Sequence, residues 1–444
     1  MADRVRPRTL KGFRDLLPSA AVAREHLVDV ARSVFRRYGF GPIETPALEY
    51  TDILLGKGSD EADRQLYRFE DAGGRDVALR FDLTVPLARY VAEHEHELGM
   101  PFKRYHVGTV WRGENTQRGR YREFLQADFD TIGTESVVAD VETAAVIDEL
   151  FSSLGFERFT IKVNNRKVLN GLLERLDVAR PSTTVLRALD KLPKIGAQAV
   201  SAELVDVAGL TAGQAAEILT FAEMAGSTGD VLAGLERLVA SSATGRSGVD
   251  ELVRFFDGAA AGGVASVELD VAIARGLDYY TGTVFETYLD DLPDIGSCCS
   301  GGRYDDLAGV YTKSRLPGVG ASLGVDRLLA AIAELGLLDS AAAVSPVLVA
   351  MFDADRGSDH IAVAAELRRA GLSVELYPDA RKLSAQLRYA DQRGHRVAVI
   401  IGPDEWETAT GQVKDLVTGA STRVARAALA GECLRILSGG PAPT

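Results

Sequence analysis

The segment RGENTQRGRYREFLQADFD, residues 112–130, joins a cluster of arginines to a strictly alternating pattern. In its second half, polar or aromatic side chains alternate with apolar ones, as in a β-strand with two different faces. The first face carries Phe124, Gln126, Asp128 and Asp130, and the second carries Leu125, Ala127 and Phe129. The pattern predicts a strand over 121–132 whose apolar face packs on a core and whose polar face meets water or a ligand.

Two earlier segments predict further strands of the same sheet. In ALRFDLTVP, a predicted strand over 77–85, the side chains of Arg80, Asp82 and Thr84 share one face. In RYHVGTVWR, the predicted strand ends in Arg112. One such strand alone is typical of a solvated sheet face. Three in succession, with arginines at a strand end, favour an antiparallel sheet lined by a ligand.

The chain is acidic, with a formal net charge of −13, but one segment is strongly basic. Between residues 103 and 122, six basic side chains accompany a single acid, Glu114. The basic residues are Lys103, Arg104, Arg112, Arg118, Arg120 and Arg122. The net charge argues against non-specific nucleic-acid binding, whereas the local cluster predicts an anion site.

The side chains on these strands indicate what the ligand is. The forked guanidinium groups of Arg112, Arg118 and Arg120 suit the oxygens of a polyphosphate. Phe124 suits a flat base, and Asp82 with Thr84 suits a small ammonium group. The pattern therefore predicts a nucleotide beside an amino acid. Because the chain lacks GxxxxGK[ST], and GVGASLG has the wrong spacing for a dinucleotide fingerprint, arginine side chains are expected to hold the phosphates.

A second chemical segment, ARGLDYYTG, spans residues 274–282. It places Arg275 directly after an apolar strand and sets Tyr279 and Tyr280 close behind it. Taken alone, the segment predicts either a substrate-binding arginine or a turn that contains a salt bridge, and both readings stay open.

The length of 444 residues predicts two or three domains, and the pattern changes twice along the chain. A helix over 19–38, with Ser19 as its cap, precedes the sheet. An Ala-, Leu-, Val- and Gly-rich region then has helical spacing. The last part alternates strand, helix, strand, helix, strand, which indicates an α/β domain. The predicted divisions are a core of 1–165 with 263–338, a helical insertion at 166–262, and an α/β domain at 345–440. Within the core, we also expect strands at 266–275 and 281–288 and a glycine-rich loop at 296–302.

The chain has three cysteines, Cys298, Cys299 and Cys433, and no CxxC pair. This pattern predicts neither a zinc site nor a disulfide framework, and it favours small core residues over nucleophiles. We find no apolar run of about 18 residues that could cross a bilayer, and no apolar signal stretch at the N-terminus. We therefore expect a cytoplasmic protein that does not enter a membrane.

These segments together resemble the motifs of histidyl-tRNA synthetases, a family of class II aminoacyl-tRNA synthetases. YGFGPIETPALE resembles class motif 1, WRGENTQRGRYREFLQADFD resembles motif 2, and GVGASLGVDRLL resembles motif 3. ARGLDYYTG and SGGRYDDL resemble two peptides that distinguish the histidine enzymes. The resemblance implies an α+β class II synthetase core, in which helices flank an antiparallel sheet. It also implies a helical insertion and a C-terminal α/β anticodon-binding domain.

The resemblance implies an ATP-dependent ligase that activates L-histidine and transfers it to the 3′ end of histidine tRNA. Mg²⁺ would accompany ATP, no protein-bound metal is expected, and motif 1 would form a homodimer. The histidine-binding residues would be Asp82, Thr84, Gln126, Asp130, Arg275, Tyr279 and Tyr280. The ATP-binding residues would be Arg112, Glu114, Arg120, Phe124 and Arg327. The catalytic residues would be Arg275, Arg112 and Gln126, with Arg275 neutralising the α-phosphate where other class II enzymes use a metal ion.

The sequence departs from the common bacterial pattern at Asp82 and Asp130, where the resemblance leads us to expect glutamates. Both replacements keep the carboxylate and lose one methylene, and the aspartate forms resemble the eukaryotic branch of the family. The main alternative is a histidine-binding regulatory subunit of ATP phosphoribosyltransferase, which resembles the catalytic core without tRNA charging. Retention of the phosphate-binding arginines and of a terminal α/β domain counts against it. A class II synthetase for threonine, proline or glycine is a further alternative, against which RGLDYY and Asp130 count.

Overall fold

The computed structural model describes residues 5–56, 65–116, 118–178, 182–273, 279–337 and 345–439. The chain divides into two compact units. The first holds the described residues of Met1–Asp15 and Arg24–Leu337, and the second holds those of Leu16–Ala23 and Leu338–Thr444. Within the described ranges, no helix is long and apolar enough to span a membrane.

The described part of the first unit is built on a mixed sheet of eight strands. In chain order they are β1 (Gly41–Pro42), β5 (Phe102–Trp111), β6 (Glu123–Ile132), β7 (Phe159–Asn165), β8 (Val267–Leu269), β9 (Thr283–Leu289), β10 (Cys299–Tyr304) and β11 (Gly318–Gly324). Their order across the sheet is β1-β5-β6-β11-β10-β9-β7-β8. The outer pairs β1/β5 and β7/β8 are parallel and the pairs between them are antiparallel. The long central strands β5 and β6 therefore lie side by side.

A smaller antiparallel sheet lies near one end of this unit. Its strands are β2 (Leu48–Tyr50), β3 (Tyr67–Glu70) and β4 (Asp76–Leu79), with β4 in the middle. The short helix α2 (Thr51–Leu55) packs on it, and α3 (Thr84–Glu93) contacts α2. The segment between β4 and α3 therefore joins the small sheet to the helix.

Helices cover the large sheet. The first helix along the chain is α1 (Pro18–Arg37), and its Val34 and Phe35 are buried. Helix α4 (Val137–Ser153) starts where the Ser136 side chain accepts the Val138 N–H, and it packs on β11 and β7. Helix α11 (Val325–Glu334) follows β11 directly and contacts β6. These packed helices give the α+β arrangement that the sequence predicts.

The predicted helical region is helical throughout its described part. Its helices are α5 (Arg166–Arg175), α6 (Ser182–Leu189), α7 (Leu192–Asp206), α8 (Ala212–Ala222), α9 (Thr228–Leu238) and α10 (Ala243–Ala261). These helices belong to the same compact unit as the eight-stranded sheet, and α10 packs on α5 and α4. The division into a separate insertion with boundaries at 166 and 262 stays a prediction.

The second unit has its own sheet, of five strands in the described residues, in the order β13-β12-β14-β15-β16. The strands are β12 (Val347–Val349), β13 (Val374–Leu376), β14 (Val397–Ile400), β15 (Thr410–Asp415) and β16 (Ser421–Ala425). The helices are α12 (Gly357–Arg369), α13 (Leu383–Gln392), α14 (Pro403–Glu407) and α15 (Leu429–Leu437). The predicted strand and helix alternation is present, but the antiparallel strands β15 and β16 were not predicted.

Several local predictions are wrong. Helix α1 starts at Pro18, so Ser19 lies inside it and is not its cap. The strand predicted at 266–275 is short, since β8 ends at Leu269. The predicted loop at 296–302 is largely strand β10, because its glycines pair with both neighbouring strands.

The largest correction concerns ALRFDLTVP, which is not one strand. Strand β4 ends at Leu79, and helix α3 begins at Thr84. The Asp82 Oδ1 atom accepts the Val85 N–H at 3.0 Å, which turns the chain into the helix. Pro86 lies in the first turn of α3, where its missing N–H breaks no helical hydrogen bond. Arg80, Asp82 and Thr84 therefore do not share a strand face, although all of them are buried.

Candidate active site

A row of buried polar side chains crosses the large sheet at β5, β6 and β11. On β6, Gln126, Asp128 and Asp130 share one face, as the alternation predicts, and each is 7% exposed or less. The residues paired with them on β5 are Gly108, His106 and Arg104, and those on β11 are Gly324, Ser322 and Gly320. This face is buried rather than solvated, so its charges need partners.

Asp130 has a cation on one oxygen and a hydroxyl group on the other. The Arg104 guanidinium lies 2.6 Å from Asp130 Oδ2, and the Tyr304 hydroxyl donates to Asp130 Oδ1. Burial raises the pKa of Asp130, whereas the Arg104 charge and the Tyr304 hydrogen bond act to lower it. Burial is the main cause that raises the pKa of Tyr280, and the negative charge of Asp130 is the second. The Tyr280 phenol therefore lies within electrostatic range of the Asp130 carboxylate.

The other acids and the amide of this site keep free acceptor atoms. Gln126 Nε2 donates to Ser322 Oγ at 2.8 Å. Burial raises the pKa of Asp128 to about 7, opposed by the Arg104 charge. Among the described residues, no hydrogen-bond partner faces Gln126 Oε1, Asp128 Oδ1 or Asp82 Oδ2. Buried acceptors without partners suit a ligand that carries several N–H donors, such as an ammonium group.

Asp82 and Thr84 reach the site from the turn before α3. Burial raises the pKa of Asp82, while the Val85 N–H and the Arg112 charge act to lower it. Thr84 is hydrogen-bonded to Tyr279, whose pKa is raised mainly by burial. The structure thus brings together Asp82, Thr84 and Tyr279, although no strand holds the first two as predicted.

The residues predicted to bind ATP lie at the ends of the same strands. Arg112 donates from Nε to the Phe81 carbonyl oxygen at 2.9 Å, and its guanidinium lies 5.2 Å from the Phe124 ring centroid. Arg120 lies 3.4 Å from Glu114. Arg327, on the first turn of α11, donates to the Ser297 carbonyl oxygen. Arg118, which the sequence also singled out, pairs with Glu334 at the far end of α11.

Glycines give the pocket its space. A Cβ atom at Gly320 would overlap the Asp130 carboxylate and the Phe129 carbonyl oxygen. A Cβ atom at Gly302 would lie 2.8 Å from Tyr280 Cδ1. Since real Cβ contacts are essentially never below 3.0 Å, these strand positions accept only glycine without movement of a pocket residue.

One central prediction lies outside the described residues. Arg275 falls in the range 274–278, so its role stays a prediction. The buried residues Arg104, His106, Asp128 and Tyr304, and the partly buried Ser322, were not assigned from the sequence. Burial and the nearby Arg104 and Arg80 charges lower the pKa of His106 to about 3. Arg104 and His106 share one parity in RYHVG, which was an available signal.

The cysteines are buried, as predicted, with Cys298, Cys299 and Cys433 each 2% exposed or less. Burial raises the pKa of Cys298 to about 12, so its thiol stays protonated at neutral pH. In the described ranges, no group of three or more His, Cys, Asp or Glu side chains is arranged to hold a metal ion.

Known proteins resemble this chain along almost its whole length. The family described as histidyl-tRNA synthetase matches residues 12–328, and the family described as anticodon binding domain matches residues 348–436. A Rhodopirellula baltica protein named histidine–tRNA ligase is 55% identical over 423 residues, which cover 95% of this chain and 96% of that protein. The Rhodopirellula baltica match extends through all three sheets and both compact units.

Solved structures give the same result. The crystal structure of histidyl-tRNA synthetase from Nostoc sp. PCC 7120 has a TM-score of 0.87 at 37% identity and covers 97% of this chain and 100% of its own. A Bacillus halodurans structure, described as an ATP phosphoribosyltransferase regulatory subunit/histidyl-tRNA synthetase, has a TM-score of 0.75 at 23% identity. It covers 90% of this chain and 99% of its own, and at that identity it shows the shared fold alone.

The predicted fold class is therefore confirmed, with an α+β class II core, helices between its halves and a C-terminal anticodon-binding domain. Of the motifs that suggested the resemblance, motif 2 supplies strand β6 and motif 3 supplies strand β11, and these two paired strands line the buried pocket. Because a family match covers residues 12–328 and a close relative aligns over 95% of the sequence, this chain belongs to the histidyl-tRNA synthetase family of class II aminoacyl-tRNA synthetases.

Proposed function

We propose that this chain catalyses ATP-dependent activation of L-histidine to histidyl-adenylate and transfers the histidyl group to the 3′ end of histidine tRNA. Family membership, together with the anticodon-binding domain at 348–436, supports charging of tRNA over the regulatory alternative. The observation in the pocket that best supports histidine as the substrate is Asp130, buried between Arg104 and Tyr304 and within electrostatic range of Tyr280.

The histidine side chain would lie between Asp130 and Tyr280. An ionised carboxylate accepts from one ring nitrogen that carries a proton, and a phenol hydrogen-bonds to the other nitrogen. An amino acid without these nitrogens would leave buried polar groups unpaired, which disfavours its binding strongly. Tyr279, held by Thr84, would pack beside the ring.

The backbone end of histidine would meet Asp82, Thr84 and Gln126. The Asp82 Oδ2 and Gln126 Oε1 atoms are buried acceptors that suit the α-ammonium group. Asp128 lies between Gln126 and Asp130 on the same face, and its Oδ1 atom offers one more acceptor. Two carboxylates and one amide oxygen around one ammonium give it a favourable electrostatic environment.

ATP would occupy the strand ends next to this pocket. Phe124 would stack on the adenine ring, with the Arg112 guanidinium directed to the α-phosphate. Arg120 and Arg327 would contact the remaining phosphates and the ribose side, and Glu114, which pairs with Arg120, would fix its direction. Mg²⁺ would enter with ATP as part of the substrate.

The chemistry then needs positioning and fixed charge rather than a protein nucleophile. The histidine carboxylate oxygen attacks the α-phosphorus, the bond to the bridging oxygen breaks, and pyrophosphate leaves with its electron pair. Arg112, and by resemblance Arg275, would stabilise the charge on the α-phosphate, while Gln126 orients the amino acid. In the second step, the terminal ribose hydroxyl of tRNA attacks the activated carbonyl carbon and AMP leaves.

A homodimer formed through motif 1, a cytoplasmic location and the part played by Mg²⁺ stay predictions. Motif 1 includes the end of α1 and strand β1, which lies at the edge of the large sheet. The oligomeric state is measurable by sedimentation of the purified chain.

The first experiment is ATP–pyrophosphate exchange with purified protein and L-histidine, beside threonine, proline and glycine. Exchange with histidine alone is expected, followed by histidine-dependent charging of tRNA. Exchange with threonine, proline or glycine but not with histidine would show that histidine is not the substrate. Histidine binding by calorimetry without exchange would instead support the regulatory alternative.

A further inference from the structure

Arg104 is a fully buried arginine in the middle of the sheet, with a side-chain exposure of 0%. It lies on β5 directly opposite Asp130 on β6, with its guanidinium 2.6 Å from Asp130 Oδ2. The same nitrogen also donates to the Leu83 carbonyl oxygen at 3.3 Å. A buried guanidinium is costly unless it is paired, so this contact fixes both side chains.

The opposite oxygen of Asp130 is held as well. Tyr304, on β10, donates its hydroxyl hydrogen to Asp130 Oδ1. Asp130 Oδ1 therefore accepts a hydrogen bond from the protein, whereas Oδ2 lies against the Arg104 charge with no hydrogen-bond donor among the described residues. Both oxygens retain lone pairs for a ligand. The plane of the carboxylate is set by groups on β5 and β10, the strands that flank β6 and β11 in the sheet.

The protonation of Asp130 decides what it offers a ligand. An ionised carboxylate accepts hydrogen bonds only, whereas a protonated one donates. Burial favours protonation of Asp130 in this pocket. Arg104 is the cation in direct contact with Asp130, and its charge opposes that tendency.

We propose that Arg104 is a positioning residue that keeps Asp130 ionised and oriented to accept a hydrogen bond from the substrate imidazole. This inference rests on the proposed function, in which Asp130 reads a ring nitrogen of histidine. Arg104 itself does not need to touch the substrate, since it acts through Asp130. The pocket thereby distinguishes a ring N–H donor from a side chain that only accepts hydrogen bonds.

Other charged or titratable groups surround the pair from each element that packs near it. They are His106 on β5, Asp128 on β6, Arg80 and Asp82 before α3, Tyr279 and Tyr280 before β9, and Tyr304 on β10. His106 stays neutral across the assay range, and the tyrosines stay protonated, because burial shifts their pKa values away from neutral pH. Asp128, whose pKa burial raises to about 7, is the group that could mimic the response of Asp130.

The test is the pH dependence of the histidine KM in ATP–pyrophosphate exchange for Arg104→Met. The change keeps an unbranched, flexible side chain, although a shorter one, and removes its charge. We expect the histidine KM to rise about 30-fold at neutral pH, as when one partner of a buried charge pair is lost. The ratio of variant KM to wild-type KM should then fall as the pH rises from about 7 to about 9, because Asp130 ionises again at higher pH. The KM for ATP should stay near the wild-type value.

Arg89→Met is the matched control. Arg89 forms a 2.6 Å ion pair with Glu49 and is largely buried, but it lies outside the histidine pocket as described above. Arg89→Met is expected to lower the free energy of unfolding. The ratio of its histidine KM to the wild-type KM should stay constant across the pH range. A constant KM ratio for Arg104→Met across the pH range, in a wild-type background that exchanges histidine, would overturn the inference. Absence of exchange in the wild-type protein would instead count against the proposed function.

A double variant covers the case in which Arg104→Met does not fold. Arg104→Met with Asp130→Asn removes both charges, so no unpaired ion stays buried. If Arg104 acts through Asp130, this double variant and Asp130→Asn alone should have the same histidine KM at every pH. Equal KM values in these two variants would also exclude Asp128 as the source of the pH-dependent KM ratio. A further loss of about 30-fold in the double variant would show an independent role for Arg104 and refute the inference.

Discussion

Replacement of Gly320 by alanine tests the pocket geometry directly. Gly320 lies on β11 opposite Asp130, and its backbone approaches that residue more closely than any Cβ atom allows. The added methyl group would overlap the Asp130 carboxylate and the backbone oxygen of Phe129. The backbone oxygen cannot rotate away, so either β11 or β6 must shift.

The size of the effect follows from this overlap. Overpacking inside a well-packed region costs about 1–3 kcal/mol of unfolding free energy. The Asp130 carboxylate, held between Arg104 and Tyr304, has no free rotamer that leaves both contacts intact. A displacement of about 1 Å at a positioned group reduces catalytic efficiency by up to about 100-fold. We therefore expect a lower Tm and a histidine KM raised at least about tenfold.

The assay combines thermal unfolding with ATP–pyrophosphate exchange at varied histidine and varied ATP. Gly309→Ala is the matched control, because a Cβ atom at this exposed turn position meets nothing within 4 Å. The ATP KM should change little in either variant. If Gly320→Ala and Gly309→Ala have the same Tm and the same histidine KM, then β11 does not press on Asp130 and the described pocket is wrong.

The remaining predictions concern separate groups of the site. Asp130→Ala should raise the histidine KM about 10-fold to about 100-fold while the ATP KM stays nearly constant, and equal increases in both would contradict its role at the imidazole. Arg275→His should reduce adenylate formation about 100-fold or more with nearly unchanged thermal unfolding, and wild-type turnover would refute its role at the α-phosphate. The His106 pKa of about 3 lies below its ordinary 6.5, so the unfolded chain binds the proton more readily and stability falls as pH drops from 6.5 toward 3. His106→Gln should reduce that loss in urea unfolding measured across this pH range, and an unchanged slope would contradict a neutral buried His106.

The alternation of residues 123–131 was sufficient to predict the central strand and the shared face of Gln126, Asp128 and Asp130. It could not show that this face is buried, because a period of two is the same for a solvated face and for a ligand pocket. Burial depends on helices and turns that come from distant parts of the sequence. The prediction of a ligand-lined sheet required the neighbouring segments as well.

The error at FDLTVP has a different cause. Three alternating polar residues satisfied the strand pattern, but Asp82 and Pro86 together are a helix-start signal. The side chain of Asp82 caps α3 with one oxygen and keeps the other for the pocket. A residue with two roles of this kind is hard to assign from spacing alone, since each role predicts a different local structure.

Arg104 was counted only as part of a basic cluster, and its actual partner could not be read from the sequence. The pairing of Arg104 with Asp130 depends on the register of β5 and β6, which joins residues 26 positions apart. The same register places Gly108 beside Gln126, where a side chain would meet Arg80. Cross-strand register therefore carries the information that local patterns lack.

The buried charges are better explained by binding than by stability. A buried ion pair such as Arg104 and Asp130 contributes no more to folding than well-packed apolar side chains of similar volume would, and often less. Asp82 and Asp128 each add a carboxylate with one oxygen that has no hydrogen-bond partner among the described residues, which lowers the stability further. Glycines at 302 and 320 then leave room beside these charges instead of filling it. This sheet face combines acceptor atoms without partners, a buried cation and space beside two glycines. Such a face suits a polar ligand that brings its own hydrogen-bond donors. Histidine has donors of this kind in its ammonium group and in its imidazole ring.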